Sequence, residues 1–193
     1  MIKAVIFDCF GVLTTEGWLA FKAEHFSQDE GLNREVTDLL KQANSGLISH
    51  ERFVESVAKL ARVTPKEVNQ AIDVNKPNEP LFAYIDKLKP KYKIAMLSNA
   101  ATNWLTELFS EKQIAKFDVI SLSYELGVAK PDNEAYEQVA AKLELDPFDC
   151  VFIDDQERHC TGAKEAGMQA ILYEDFEQMK TELEKTLTEN PSS

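Results

Sequence analysis

The chain predicts an α/β fold, a doubly wound parallel sheet with a small helical unit inserted after its first strand, and three observations carry that expectation. Short uncharged runs, Ala4-Val5-Ile6-Phe7, Ile94-Ala95-Met96-Leu97 and Cys150-Val151-Phe152-Ile153, each stop abruptly at polar residues. Apolar runs this short read as strands buried on both faces of a parallel sheet. From Leu81 onward such runs alternate with helical spacing, the pattern of strand–helix–strand units. Between Trp18 and about Asn75 the spacing is helical throughout, with no strand signal.

In chain order, Ala4–Phe7 is the first strand and Asp8 sits where it emerges. Trp18 with Phe21, Leu19 with Phe26, then Val36, Leu39 and Leu40, then Phe53, Val54, Val57 and Leu60 fit helical faces. Ser45-Gly46 reads as a turn and Ser49 to Arg52 as a helix start. Thr64-Pro65-Lys66-Glu67 combines a Thr N-cap, Pro at the first helical position and Glu three residues after the cap. Asn75 to Pro80, with two prolines and two asparagines, is a connection between units. Leu81–Leu88 is a helix ended by Lys89-Pro90, and 94–97 is the second strand. Helix over 102–109, strand over 119–122 and a helix opening at Lys130-Pro131 and running through Tyr136, Val139 and Leu143 follow. The strand at 150–153 precedes a helix from Thr161 to Ala166 stopped by Gly167. A strand at 170–173 and a helix around Met179 and Leu183 complete the pattern, with 190–193 as a loose tail.

Composition narrows the partners. With 193 residues, 44% of them hydrophobic and 28% charged, the chain is long enough to bury a sizeable core. A net charge of −12 leaves no basic face for nucleic acid or an anionic membrane. No signal-peptide pattern opens the sequence, and no apolar stretch reaches the roughly 18 residues of a membrane span. Cys9, Cys150 and Cys160 share no metal-ligand spacing and fit a reducing, cytoplasmic setting as small buried hydrophobes. A monomer or weak homodimer is expected. His25, His50 and His159 have no mutual spacing and are expected as ordinary surface or insertion residues.

The polar strand ends are the candidate site. In a parallel sheet Asp8, Ser98-Asn99 and Asp154-Asp155 open on one edge, where the crevice of open α/β sheets lies. Adjacent carboxylates at a buried strand end repel unless a cation sits between them. Three carboxylates with Lys130 suit a hard divalent cation such as Mg2+, which binds through carboxylates and substrate phosphate. Gly11 would let backbone amides approach a bound anion closely. Phosphoryl transfer needs such parts.

The order Asp8-Cys9-Phe10-Gly11-Val12-Leu13, Leu97-Ser98-Asn99, Lys130-Pro131 and Phe152-Ile153-Asp154-Asp155 resembles the four motifs of the haloacid dehalogenase superfamily of hydrolases. The likeness covers nearly the whole chain. It implies a Rossmann-like core over 1–14 and 79–193 and a C1-type helical cap over 15–78. Ser45 to Ser49 and Leu122 to Pro131 are similar to the α-D-glucose-1-phosphate phosphatase branch. The resemblance implies a Mg2+-dependent hydrolase of a small phosphorylated metabolite, with Asp8 as nucleophile and Lys130 offsetting negative charge. Phe10, Gly11, Ser98, Asn99 and Lys130 would bind the phosphoryl group. Asp8, the Phe10 carbonyl, Asp154 and Asp155 would hold the metal.

One position departs from the family. Most phosphatases of the superfamily carry a second Asp two residues after the nucleophile as general acid, and Phe10 cannot transfer a proton. Losing such a group costs about 10²–10⁴-fold, so the substrate has a good leaving group or another residue substitutes. Glu16 is the candidate among Thr14, Thr15, Glu16 and Trp18, which the family's cap arrangement places nearest the leaving group. Two alternatives remain open: a HAD-like binding protein that has lost catalysis, and a 2-haloacid dehalogenase-like hydrolase. Dehalogenases also have an aromatic at this position, but they carry serine and asparagine where this chain has Asp154-Asp155.

Overall fold

The computed structural model describes residues 1–14, 17–44, 48–72, 75–100, 103 and 105–188. Strands β1 (Ala4–Phe7), β2 (Lys93–Ser98), β3 (Val119–Leu122), β4 (Cys150–Asp154) and β5 (Gln169–Leu172) form one parallel sheet in the order β3-β2-β1-β4-β5. The helices are α1 (Gly17–Phe26), α2 (Glu30–Asn44), α3 (His50–Ala61), α4 (Pro65–Ile72), α5 (Glu79–Leu88), α6 (Leu105–Leu108), α7 (Glu111–Ile114), α8 (Ser123–Leu126), α9 (Asn133–Lys142), α10 (Glu157–Glu165) and α11 (Phe176–Thr188). Among the described residues no helix is long and apolar enough to cross a membrane. The turn expected at Ser45-Gly46, the tail at 190–193, Thr102 and the acid candidate Glu16 with Thr15 lie outside the described residues.

The chain divides into two compact units, Met1–Thr15 with Pro77–Ser193, and Glu16–Lys76. In the first, alternation along the strands sorts side chains to two faces. Val5, Phe7, Ile94, Met96, Val151 and Ile153 join one apolar cluster with Leu81, Phe82 and Ile85 of α5 and Met179 and Leu183 of α11. Ala4, Ile6, Ala95, Leu97, Cys150 and Phe152 join another with Tyr136, Val139 and Ala140 of α9 and Ala163 of α10. Both faces are covered, which is why β1 carries no polar residue until Asp8. Each fully buried Phe or Ile contributes about 1.5–3 kcal/mol.

The second unit is helical, built from α1 to α4. Trp18, Phe21, Phe26, Val36, Phe53, Val54, Val57 and Val68 form its core, with the Trp18 and Phe53 rings 5.2 Å apart. Trp18 is thus buried among its own unit's residues. Ser49 Oγ accepts from Arg52 N and starts α3. Before α4 the Thr64 amide donates to Glu67 Oε2 and Glu67 N donates to Thr64 Oγ1, a reciprocal cap.

Several helix boundaries differ from expectation. The helix expected to open at Lys130-Pro131 begins at Asn133, because Asp132 is its N-cap and accepts from Glu134 N. Lys130 and Pro131 therefore belong to the preceding loop. The helix expected from Thr161 starts four residues earlier, at Glu157; its first turn is polar in composition and hides from a search for apolar periodicity. The short helices α7 and α8 were not expected. A capping box between Ser110 and Gln113 starts α7.

Candidate active site at the strand ends

Parallel pairing sets the edge on which the site forms. Phe7 is in register with Met96 of β2 and Ile153 of β4, and Asp8 N donates to Ile153 O at 2.8 Å. The ends of β1, β2 and β4 therefore deliver Asp8, Ser98 and Asp154 side by side. Asp8 is 5% exposed, Asp154 0% and Lys130 4%. Burial of three charged groups is tolerated because they pair.

Lys130 is the hub. Its Nζ donates to Asp8 Oδ1 and to Asp154 Oδ2, both at 2.6 Å, and stands 5.1 Å from the centroid of the Phe152 ring. The loop carrying it is clamped by Asn99, whose Oδ1 accepts from Lys130 N and whose Nδ2 donates to Lys130 O, both at 2.9 Å. The Asn99 side chain is thus committed to this loop. Ser98 Oγ is buried with no hydrogen-bond partner among the described residues.

Asp154 is nearly saturated. Oδ1 accepts from Gln156 N at 2.8 Å, and His159 Nδ1 lies 3.0 Å from Oδ1 and 3.1 Å from Oδ2. With Lys130 on Oδ2, little of the four lone-pair capacity of the carboxylate remains. Asp155 is half-buried, and ligand oxygens of Asp8, Asp154 and Asp155 lie within 4.8 Å of one another. Gly11, at φ +82°, lies against Asp155: a Cβ there would be 2.5 Å from Asp155 Oδ2. The space where a side chain would stand at position 11 is filled by this carboxylate. Phe10 is partly buried against the β1-side apolar cluster.

Electrostatics follow from this packing. Burial pushes the Asp8 carboxyl above the ordinary carboxylate range, opposed by the Lys130 ammonium. Burial acts on Asp154 in the same sense, but hydrogen bonds from His159 and the charge of Lys130 bring it below that range. Burial alone would lower Lys130, yet Asp8 and Asp154 outweigh it and hold the ammonium charged. Three carboxylates against one ammonium leave two negative charges. An all-oxygen donor set with that excess fits a hard divalent cation.

Asp8 and Asp154 are bonded to Lys130, Asp155 has a ligand oxygen within 4.8 Å of theirs and lies against Gly11, Ser98 and Asn99 stand at the end of β2, and Phe10 is on the loop after β1. His159, expected on a surface, is 3% exposed and bonded to Asp154. The expectation rests on the lack of mutual spacing among the three histidines, which does not register a carboxylate partner; in α10, which begins at Glu157, His159 faces inward. Asp154 and His159 five residues apart across a strand-to-helix turn was the available signal. Cys9, Cys150 and Cys160 are buried free thiols, as expected.

A model of the family described as haloacid dehalogenase-like hydrolase matches residues 2–167. The chain is 30% identical over 126 residues to bifunctional epoxide hydrolase 2 of Sus scrofa, covering 61% of this chain but only 22% of that protein. It is 26% identical to D-ribitol-5-phosphate phosphatase of Bacteroides thetaiotaomicron, covering 95% of this chain and 97% of that protein. Among solved structures, a HAD family enzyme from Bacteroides thetaiotaomicron in complex with magnesium and inorganic phosphate is similar at a TM-score of 0.57 and 26% identity, over 91% of this chain and 98% of that one.

Proposed function

The chain belongs to the haloacid dehalogenase-like hydrolase family, and on that premise we propose that it hydrolyses phosphomonoesters of small metabolites, sugar phosphates foremost, through a phosphoryl group carried on Asp8. The observation that carries this is Lys130 Nζ held 2.6 Å from both Asp8 Oδ1 and Asp154 Oδ2, with Asp155 beside them. A phosphatase relative and a family structure holding magnesium and phosphate support the same direction.

Asp8 is the nucleophile. Its carboxylate oxygen forms a bond to phosphorus as the bond from phosphorus to the substrate oxygen breaks, giving an aspartyl phosphate and the departing alcohol. Water then attacks that phosphorus, releasing phosphate and returning Asp8. Lys130 keeps Asp8 oriented and offsets charge on the transferring group, while Ser98 Oγ and the Asn99 and Gly11 amides donate to its oxygens. Mg2+ held by Asp8, the Phe10 carbonyl and Asp155, with Asp154 behind, would neutralise the approach of a carboxylate to a phosphate dianion. Asp155 is the direct acidic ligand because Asp154 is occupied by Lys130, His159 and Gln156. Phe10 offers no proton, so the departing oxygen takes one from water, which favours good leaving groups such as an anomeric oxygen.

The Glu16–Lys76 helical unit serves as the C1-type cap, and the α-D-glucose-1-phosphate phosphatase branch supplies the first substrates to try. We assign the reaction to the cytoplasm, where free thiols stay reduced. A phosphomonoester panel with Mg2+ tests the proposal, with Asp8→Asn and Asp155→Ala as controls. Phosphate release that requires Mg2+ and Asp8, and a Mg2+-induced rise in Tm that vanishes in Asp155→Ala, are expected. Chloride release from 2-chloropropionate in EDTA would replace it with a dehalogenase. Mg2+ binding without turnover of any phosphomonoester would replace it with a binding protein.

A further inference from the structure

His159 lies outside every motif that the resemblance supplied. It is the third residue of α10, yet its imidazole points into the protein, 3% exposed. Nδ1 lies 3.0 Å from Asp154 Oδ1 and 3.1 Å from Oδ2. An ionised carboxylate only accepts, so Nδ1–H is the donor. Nε2 is buried with no hydrogen-bond partner among the described residues. An imidazole with one buried nitrogen unsatisfied is a poor packing choice compared with an apolar side chain, so the bond that Nδ1 makes must justify the residue.

The surroundings are keyed to that bond. Tyr136 Oη donates to the His159 carbonyl at 2.8 Å, tying α9 to α10 at this residue. One turn further along, a Cβ on Gly162 would lie 2.5 Å from Pro131 O, so α10 packs against the loop that carries Lys130. The same helix therefore touches the Lys130 loop and orients the carboxylate that Lys130 bonds. Gln156 N on Oδ1, His159 across both oxygens and Lys130 on Oδ2 leave Asp154 a single orientation.

We propose that His159 is a positioning residue of the phosphoryl-transfer site: Nδ1–H fixes the Asp154 carboxylate, which holds Lys130 Nζ against Asp8 and leaves Asp155 to the cation. This rests on the function proposed above. Residues that orient ligand-bearing groups from behind commonly change metal affinity or activity about 10–100-fold when removed.

The test compares wild type with His159→Leu, His159→Asn and His159→Gln. Asn places its amide nitrogen on Cγ, where Nδ1 is attached, whereas Gln places it one bond farther out. Mg2+ affinity is read by calorimetry and by the Mg2+-induced shift in Tm, and kcat and KM are read on the best phosphomonoester. His159→Leu should weaken Mg2+ binding and lower kcat, each about 10–100-fold, with KM changing far less. His159→Asn should recover most of both, and His159→Gln should recover less. Should His159→Leu not fold, the Asn and Gln pair still decides. Unchanged Mg2+ affinity and kcat in His159→Leu, or Asn no better than Gln, would overturn the proposal. A wild-type protein with neither Mg2+ binding nor phosphatase activity would instead defeat the function it rests on.

Discussion

Gly11 and Asp155 lie so close that a Cβ at position 11 would stand 2.5 Å from Asp155 Oδ2 and 2.8 Å from its Cγ. Gly11 also adopts φ +82°, a conformation that costs other residues about 1–3 kcal/mol. Gly11→Ala should therefore lower stability by about 1–3 kcal/mol and push the Asp155 carboxylate aside. Denaturant unfolding with and without Mg2+ checks both parts: the variant should lose stability and also most of its Mg2+ stabilisation. Full retention of the Mg2+ increment would mean that Asp155 moves without consequence for the cation.

Ser98 and Asn99 are neighbours with opposite stability signatures. Asn99 makes two hydrogen bonds to the Lys130 backbone, so Asn99→Ala should cost about 1–3 kcal/mol. It should also lower kcat by loosening Lys130. Ser98 Oγ has no partner among the described residues, so Ser98→Ala should be neutral or slightly stabilising. Its loss should raise KM for phosphorylated substrates. Chemical denaturation paired with steady-state kinetics separates the two, and a strongly destabilised Ser98→Ala would show that the hydroxyl holds structure instead.

On the proposed mechanism, Phe10 should make the rate sensitive to the leaving group. Without a proton donor at position 10, the chemical step should steepen with leaving-group pKa, favouring aryl and anomeric phosphates over alkyl ones. Phe10→Asp should flatten that slope and improve alkyl phosphates most. A flat slope in the wild-type enzyme would show that another acid already serves, Glu16 being the first to replace.

Burial raises the thiols: Cys160 is pushed up to about 11, Cys150 to about 12 and Cys9 higher still. The folded protein should therefore resist iodoacetamide at pH 8, where the thiolate fraction of even Cys160 is about 10⁻³, and label fully once unfolded. Because these folded-state values exceed the ordinary 9.0, the unfolded chain releases its thiol protons first. The stability they confer is complete below pH 9 and falls as pH rises through 11 and 12. Urea midpoints measured from pH 7 to 11 should decline above pH 9.

Local chemistry made much of this protein readable. A run such as Ala4–Phe7 reports burial on both faces by itself, because each strand residue needs an apolar neighbour on its side of the sheet. Thr64 and Glu67 announced their cap because the partners are three residues apart. Asp8, Ser98 and Asp154 could be placed on one edge because parallel strands share their ends. What sequence spacing could not carry was the set of contacts made across the sheet. The Asn99 clamp on Lys130, the Gly11 contact with Asp155 and the α10 packing on Pro131 depend on side chains brought together by tertiary folding. His159 shows the limit most clearly. Its identity was plain, but whether it met solvent or Asp154 depended on how α10 packs beside β4 and α9, which buries His159 while Glu157 and Arg158 of the same turn stay exposed.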